Sequence, residues 1–249
     1  MPIDTLVAGI SGGIGVALAA HELRRNPDTH VVGLSRSASR NPEACALAEA
    51  FPGRLTLVDG DAGDRGTLDA ALTAHLPQET RISRILYAVG VLHGEGLFPE
   101  KRLEDVDPEA MLQSYRVNTL GFLNTVQALI PWLRHRDPKL IAAVSAKVGS
   151  IGDNSYGGWY GYRCSKAALN MAVRTLAIET QRRLRPATVV ALHPGTTDTT
   201  LTAPFQQSLA HLRVHSPADT ATNLWTVLDS LGPEDSGRFL SWDGSELPW

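Results

Sequence analysis

Short apolar runs alternate with segments of helical periodicity along the chain. The runs typical of buried strands are residues 5–9, 31–35, 55–59, 84–88, 140–144, 188–192 and 238–242. Helical spacing fills the intervals: one helix ending near Arg25, one opening at Tyr162, and others over 43–51, 65–74, 108–135 and 218–230. Continuous apolar strands separated by helices predict a parallel sheet covered on both faces. We therefore expect an α/β, doubly wound parallel sheet, the Rossmann fold.

The length and composition of the chain fit this architecture. The 249 residues suit one large α/β domain or two small ones, and 43% hydrophobic residues can form a substantial core. We find no internal repeat, low-complexity tract or linker in the sequence. We therefore expect a single nucleotide-binding domain over residues 1–249.

Charge and cysteine content narrow the class of protein. A net charge of −3 gives no reason to expect a nucleic-acid or anionic-membrane partner. Cys45 and Cys164 follow no metal-ligand or disulfide spacing, which fits a reducing compartment. The sequence starts without a signal-peptide pattern, and no apolar stretch could span a bilayer. We expect a cytoplasmic protein without a metal site or a membrane partner.

A glycine-rich turn joins the first strand to the first helix. Glycines permit a tight turn and close backbone approach, and a helix N-terminus presents free N–H groups to a pyrophosphate. The spacing is Gly-x-x-x-Gly-x-Gly, and no Gly-Lys-Ser/Thr closes the turn as it would in a P-loop. Any α/β fold can place glycines here, but the position favours a dinucleotide. The candidate cofactor-binding residues are Gly9, Ser11, Gly13, Ile14 and Gly15.

The end of the second strand bears on the choice of cofactor. An acidic residue there would accept hydrogen bonds from the ribose 2′-OH of NAD. The chain has Ser35 and Arg36 instead, and an arginine can pair with a 2′-phosphate through charge-assisted hydrogen bonds. Arg36 could equally be a solvated loop residue. We expect NADP to be preferred over NAD.

Tyr162 and Lys166 form the candidate reacting pair. Residues four apart lie on one face of a helix, so the hydroxyl and the ammonium can meet. A tyrosine titrates near pH ~10, and a nearby cation lowers that pKa toward general acid/base work. The same spacing can arise by chance, so the assignment of a reacting pair depends on the other motifs of the chain.

Further elements occur in a fixed order along the chain. They are Gly9, Gly13 and Gly15 in the first turn, Asp61-Ala62 after the third strand, Asn118, Tyr162 with Lys166, and Pro194-Gly195 after the sixth strand. Their order and spacing resemble the short-chain dehydrogenase/reductase family in its single-domain branch. More narrowly, residues 149–154, 158–160 and 242–244 resemble the subgroup named for the myxobacterial C-factor, which is related to the sniffer carbonyl reductases.

That resemblance implies roles for individual residues. Tyr162 would exchange the proton with the substrate oxygen. Lys166 would lower the pKa of Tyr162 and bind the nicotinamide ribose, and Asn118 would hold a water of the proton relay. Asp61 and Ala62 would contact the adenine. Pro194 and Gly195 would bind the cofactor, and Thr197 and Thr199 would lie around the nicotinamide amide. Residues 201–212 could form a lid over the substrate or, equally, a packed surface helix.

Two departures from the family pattern affect this assignment. The Asn-Asn-Ala-Gly usual after the fourth strand is here Tyr-Ala-Val-Gly, which keeps only Gly90. In the usual Ser-x-x-Gly motif the catalytic serine would fall on Ala146, with Ser145 before it and Ser150 beyond the glycine. We expect Ser145 to complete the catalytic group and keep Ser150 as the alternative.

The resemblance implies an NADP-dependent oxidoreductase that interconverts a carbonyl and a secondary alcohol, acting on a small molecule as a homodimer or homotetramer. A cofactor-binding regulatory or signalling protein of C-factor type, with little turnover, is the alternative. An epimerase or dehydratase is a third hypothesis, although such relatives usually carry a larger substrate region.

Overall fold

Seven parallel strands form one sheet in the computed structural model, which describes residues 4–205 and 213–249. The strand order is β3-β2-β1-β4-β5-β6-β9, and two short strands, β7 and β8, pair beside it. The strands are β1 (Asp4–Ala8), β2 (Val31–Ser35), β3 (Leu55–Asp59), β4 (Ile82–Tyr87), β5 (Lys139–Val144), β6 (Ala187–His193), β7 (Thr196–Thr197), β8 (Val214–His215) and β9 (Phe239–Ser241). The strands expected from the apolar runs are thus confirmed.

Helices cover the two faces of the sheet. They are α1 (Gly13–Arg25), α2 (Pro42–Ala50), α3 (Arg65–His75), α4 (Pro108–Tyr115), α5 (Gly121–Leu133), α6 (Tyr160–Arg183) and α7 (Pro217–Asp229). One apolar cluster joins the sheet to α3, α5 and α6, and a second joins it to α1, α2 and α7. Alternate residues of β5 supply the two clusters, Ile141 to the first and Ala142 to the second. The expectation of a doubly wound Rossmann fold is therefore confirmed.

The helix expected over residues 108–135 is interrupted. A single π turn, Arg116–Leu120, separates α4 from α5, and the backbone N–H of Gly121 donates to the carbonyl of Arg116. Apolar periodicity cannot reveal such a turn, because one extra residue per turn shifts the helical faces only locally. Turns of this kind are often found at functional sites.

The strand order places a crevice at the carboxyl ends of the strands. The order reverses between β1 and β4, and ligands of open α/β sheets bind outside this point. Residues 206–212, most of the expected lid, lie outside the described residues. Among the helices of the described ranges, none is long and apolar enough to cross a membrane. A single domain over residues 1–249 stays a prediction.

Candidate active site

The glycine turn is closed by direct backbone contact. A Cβ on Gly15 would lie 2.0 Å from the carbonyl oxygen of Gly9, and one on Gly9 would lie 2.8 Å from the carbonyl of Ala88. Gly9 also has a φ of +95°, which disfavours any side chain. The two glycines therefore let the start of α1 pack directly against β1 and the end of β4.

The N-terminus of α1 fits an anionic group. Its N-cap is Gly12, with no side-chain hydrogen bond, and no acidic residue lies in the first turn. Ser11 and Gly12 are exposed, while Gly13 and Ile14 are half-buried. Free helix N–H groups next to a glycine-rich turn are what a pyrophosphate requires. The turn residues therefore fit a bound dinucleotide.

The carboxyl end of β2 presents two arginines with different surroundings. Arg40 forms an ion pair of 3.3 Å with Asp59 and donates to the carbonyl of Arg36. Asp59 also accepts hydrogen bonds from the backbone and the hydroxyl of Ser39. The side chain of Arg36 is exposed and forms no ion pair within the described residues. Arg36 is therefore the arginine available to a ligand phosphate, with the buried Ser35 before it.

Asp61 and Ala62 follow β3 and Gly90 follows β4, so all three lie at the carboxyl end of the sheet. The carboxylate of Asp61 accepts a hydrogen bond of 2.8 Å from the backbone of Gly63, which orients it in the turn after β3. Ala62 is buried, and its carbonyl accepts from Asn124. A Cβ on Gly90 would lie 3.5 Å from both Asn118 Oδ1 and Lys166 Nζ. Gly90 therefore lies between two predicted catalytic side chains.

Tyr162 and Lys166 lie on one buried face of α6. They are 8% and 3% exposed, and Lys166 Nζ lies 5.8 Å from the centre of the Tyr162 ring. The ammonium donates a hydrogen bond of 2.9 Å to the carbonyl of Val144 at the end of β5. This bond uses one of its three donors. The helix therefore brings the pair together as its spacing predicts.

Burial sets the protonation of the pair. It raises the pKa of the Tyr162 hydroxyl well above its ordinary value, because the phenolate is disfavoured away from water. It lowers the pKa of Lys166 to about 8 for the corresponding reason. The net shift of the Tyr162 pKa is therefore upward, opposite to the expected direction, because desolvation outweighs any lowering by Lys166; Tyr162 stays protonated at neutral pH.

Asn118 lies in the π turn and is fully buried. Its amide nitrogen donates to the carbonyl of Val91 at 3.0 Å and to Ser165 Oγ at 2.9 Å, while its Oδ1 accepts from the backbone N–H of Val91 at 2.8 Å. Ser165 Oγ in turn donates to the carbonyl of Tyr162. Asn118 therefore joins the loop after β4 to the helix that carries the reacting pair, and one lone pair of its Oδ1 stays available.

Both candidate serines have protein partners. Ser145 is buried, and its Oγ donates a hydrogen bond of 2.6 Å to Asn170 Oδ1 on α6. Ser150 Oγ donates to the carbonyl of Trp249 and accepts from the backbone of Asp153. Ala146, between them, is extended and half-buried. The role of Ser145 toward a substrate stays a prediction, because a donor role there requires its proton to leave Asn170.

The loop after β6 folds back onto the glycine turn. Gly195 has a φ of +75°, and a Cβ there would lie 2.9 Å from the Trp242 ring. The Thr197 hydroxyl bonds that of Thr220 on α7 at 2.8 Å. The Thr199 methyl would lie 3.2 Å from a Cβ on Gly13, so Thr199 meets the turn directly. Thr199 thus lies beside the expected pyrophosphate site.

His193, before Pro194, accepts a hydrogen bond from the backbone of Lys147 through Nδ1. Burial lowers its pKa to about 4, so it is neutral at physiological pH. His193 is the last residue of β6.

Sequence reasoning missed the polar contacts that hold α6 in place. Asn170 bonds Ser145 and the carbonyl of Gly149, and its position four residues after Lys166, within an apolar run, was an available signal. Glu100 was not foreseeable: its buried carboxylate accepts from the backbone of Gly161 and so caps α6 from a distant loop. Trp159 precedes that helix with a φ of 52°, and its ring packs edge-on against Tyr162.

Comparison with known families agrees with this geometry. Residues 4–210 match the sequence model described as short chain dehydrogenase. The matched range includes the glycine turn, the π turn and α6.

Individual proteins resemble the chain over long stretches. C-signal of Myxococcus xanthus is 39% identical over 149 residues, which cover 59% of this chain and 83% of that protein. A short-chain dehydrogenase/reductase from Burkholderia multivorans, solved with bound NADP, superposes with a TM-score of 0.82 at 26% identity and covers 100% of both chains. A carbonyl reductase from Pseudomonas aeruginosa has a TM-score of 0.81 at 26% identity, covering 99% of this chain and 100% of its own.

Proposed function

The chain belongs to the short-chain dehydrogenase family of NAD(P)-dependent oxidoreductases, and we propose that it interconverts a carbonyl and a secondary alcohol with NADP. The observation that carries the proposal is the buried face of α6, where Tyr162 and Lys166 lie within 5.8 Å, measured from ring centre to Nζ. The carbonyl reductase of Pseudomonas aeruginosa, similar over nearly its whole length, supports the reaction class.

Tyr162 is the proposed general acid in the reductive direction. The hydroxyl carries its proton at neutral pH and can donate it to a carbonyl oxygen. Because burial raises the pKa of Tyr162, the negative charge that the transfer leaves on its oxygen needs stabilisation. Bound nicotinamide supplies or accepts the hydride. Lys166, with a pKa of about 8, is a cation at neutral pH and stabilises negative charge that develops at the Tyr162 oxygen.

Asn118 and Gly90 support a proton relay through water. The free lone pair of Asn118 Oδ1 and the ammonium of Lys166 both flank Gly90, each 3.5 Å from where a Cβ would stand. A water there could donate to Oδ1 and accept from Nζ, and the absent side chain leaves room for it. Asn118 thus takes part as the acceptor that fixes the water.

The preference for NADP rests on Arg36. It is exposed at the carboxyl end of β2 without an acidic partner among the described residues, whereas Arg40 is held by Asp59. The similar Burkholderia multivorans protein binds NADP, which supports the same cofactor here. The other proposed contacts are the glycine turn, Asp61 with Ala62, and the loop 194–199.

Replacing Tyr162 by phenylalanine tests the proposed function. We expect Tyr162→Phe to lower kcat by about 10²- to 10⁴-fold, because the proton donor is lost while the ring is kept. NADPH consumption across a panel of carbonyl compounds measures turnover, and fluorescence titration measures NADPH affinity, which should stay within about twofold. Equal turnover in wild type and variant would contradict the proposal.

A regulatory protein that binds NADP with little turnover is the second candidate. The 39% identity to C-signal of Myxococcus xanthus favours it, together with Ala146 at the position where the family motif has serine. Under this proposal, wild type and Tyr162→Phe would bind NADPH equally and show equally low turnover over the whole carbonyl panel.

Homodimer or homotetramer formation remains part of the proposal. Leu112 on α4 and Met171 on α6 are 60% and 66% exposed, and apolar side chains on adjacent helices are what a second copy could cover. Light scattering coupled to size-exclusion chromatography measures the mass directly. A monomer at micromolar concentration would contradict it.

A further inference from the structure

Tyr87, at the end of β4, donates a hydrogen bond to the middle of the π turn. Its hydroxyl lies 2.7 Å from the carbonyl oxygen of Val117, thirty residues along the chain. The ring is fully buried and packs edge-on against Phe122 of α5, with centroids 5.6 Å apart. A side chain that inserts into the backbone hydrogen-bond ladder of a helix is a recognised cause of local distortion. Tyr87 therefore contacts the turn at the residue before Asn118.

Gly121 makes this contact possible. A Cβ at this position would lie 2.2 Å from the Tyr87 hydroxyl and 3.4 Å from the ring carbon that bears it. Any other residue at position 121 would push the hydroxyl away from Val117. Tyr87 and Gly121 thus fit each other as a pair, although they lie on different elements.

The π turn holds the catalytic helix through two side chains. Asn118 donates to Ser165 Oγ, and the Thr119 hydroxyl donates to the Ser165 carbonyl at 2.7 Å. Ser165 lies between Tyr162 and Lys166 on α6 and donates to the carbonyl of Tyr162. Hydrogen bonds on either side of the backbone from Val117 to Thr119 therefore connect Tyr87 to the helix that carries the reacting pair.

We propose that Tyr87 is a positioning residue: its hydroxyl holds the π turn that places Asn118 and Thr119 against Ser165. This proposal rests on the proposed function, because it concerns the same reacting pair. Burial raises the pKa of Tyr87 far above its ordinary value, so the hydroxyl stays protonated and remains a donor throughout the working pH range.

The first test removes only the hydroxyl. Tyr87→Phe keeps the ring against Phe122, and we expect kcat to fall about tenfold to hundredfold, as small misplacements of catalytic groups do. The KM for the carbonyl substrate and the NADPH dissociation constant should stay near those of wild type, because the hydroxyl donates to Val117, which is not assigned to either binding region. Unchanged kcat in Tyr87→Phe would overturn the proposal.

A second variant separates positioning from stability. In Tyr87→Phe/Gly121→Ala the added methyl fills the space left by the hydroxyl, at ordinary contact distance from the ring. We expect the melting temperature to recover toward wild type while kcat stays low, because the hydrogen bond to Val117 is still absent. Recovery of kcat together with stability would mean that Tyr87 acts through packing alone, and would overturn the proposal.

Crystal structures of the two variants test the proposal independently of enzyme activity. We expect the π turn to relax toward α-helical bonding, with Asn118 shifted from Val91 and Ser165. An unchanged turn and an unchanged Asn118 would overturn the positioning role whatever the kinetics. If the wild type shows no turnover, or if Tyr162→Phe has the same turnover as the wild type, the proposed function is contradicted instead. The crystal structures would then still decide whether Tyr87 positions the π turn.

Discussion

The nucleotide end and the catalytic end of the candidate site are built in opposite ways. At the nucleotide end, Gly9, Gly13 and Gly15 contribute by having no side chain, and Arg36 is exposed without an ion pair among the described residues. At the catalytic end, Asn118, Ser145 and Lys166 are buried, and each is hydrogen-bonded to another part of the protein. One end thus offers free backbone donors, and the other offers groups already held in place.

This difference decides how each end responds to substitution. Close backbone packing tolerates no added atom, because two main chains cannot move apart without moving whole elements. Hydrogen-bonded side chains can instead be removed one at a time, at a cost that depends on the partner left behind. Substitutions of Gly9 and Gly15, where an added Cβ would meet backbone, should therefore both disrupt the turn, whereas substitutions at the catalytic end should have graded effects.

The largest effect is expected for Gly15→Ala. Its Cβ would lie 2.0 Å from the carbonyl oxygen of Gly9, so the turn must open. We expect NADPH binding to be lost and the free energy of unfolding to fall by about 1–3 kcal/mol or more. Gly12→Ala is the matched control, since its nearest neighbour would be 3.5 Å away. Equal NADPH affinity in the two variants, measured by fluorescence titration, would contradict close packing as the basis of the turn.

The nucleotide end was predictable from the sequence because glycine spacing and the end of a strand are local signals. The seven strands and the helix carrying Tyr162 and Lys166 were predictable for the same reason. The π turn, the cap from Glu100 and the Asn170 partner of Ser145 were not, because each depends on residues brought together by the fold. The direction of the Tyr162 pKa shift also required burial to be known.

The next effect is the pH dependence of stability that burial of Lys166 should cause at the catalytic end. Its pKa is about 8 in the folded protein and about 10.4 in an unfolded chain. Below pH ~8, Lys166 is protonated in both the folded and the unfolded state. Between pH ~8 and pH ~10.4 it is protonated only in the unfolded chain, so the free energy of unfolding rises with pH in this window. The gain should approach about 3 kcal/mol. Urea unfolding between pH ~7 and ~10.5 measures it.

Lys166→Met is the control for this dependence, because it removes the titrating group and keeps an apolar stem. We expect its free energy of unfolding to lack the rise found for wild type in the same pH window. If the free energy of unfolding rises with pH equally in both proteins, another group causes the rise, and burial does not lower the pKa of Lys166 as expected.

A smaller effect is expected at the nucleotide end for Arg36→Ala. Removing charge-assisted hydrogen bonds to the 2′-phosphate should weaken NADPH binding about tenfold to hundredfold and leave NADH binding unchanged. Arg40→Ala is the matched control on the same loop, since Arg40 is already paired with Asp59. Fluorescence titration with both cofactors compares the variants. If Arg40→Ala shifted the preference more, the cofactor choice would belong to the other arginine.

The smallest effect is expected for Ser145, whose hydroxyl already donates to Asn170. Ser145→Ala and Asn170→Ala break the same buried hydrogen bond, and each should lower the free energy of unfolding by about 1–3 kcal/mol. Only Ser145→Ala also removes the hydroxyl that a substrate could use. In Asn170→Ala the hydroxyl is kept and its proton is released from its partner. We therefore expect kcat to be lower in Ser145→Ala, by about tenfold, which is the worth of one hydrogen bond. Equal kcat in the two variants, by NADPH consumption, would leave Ser145 with the single role of joining β5 to α6.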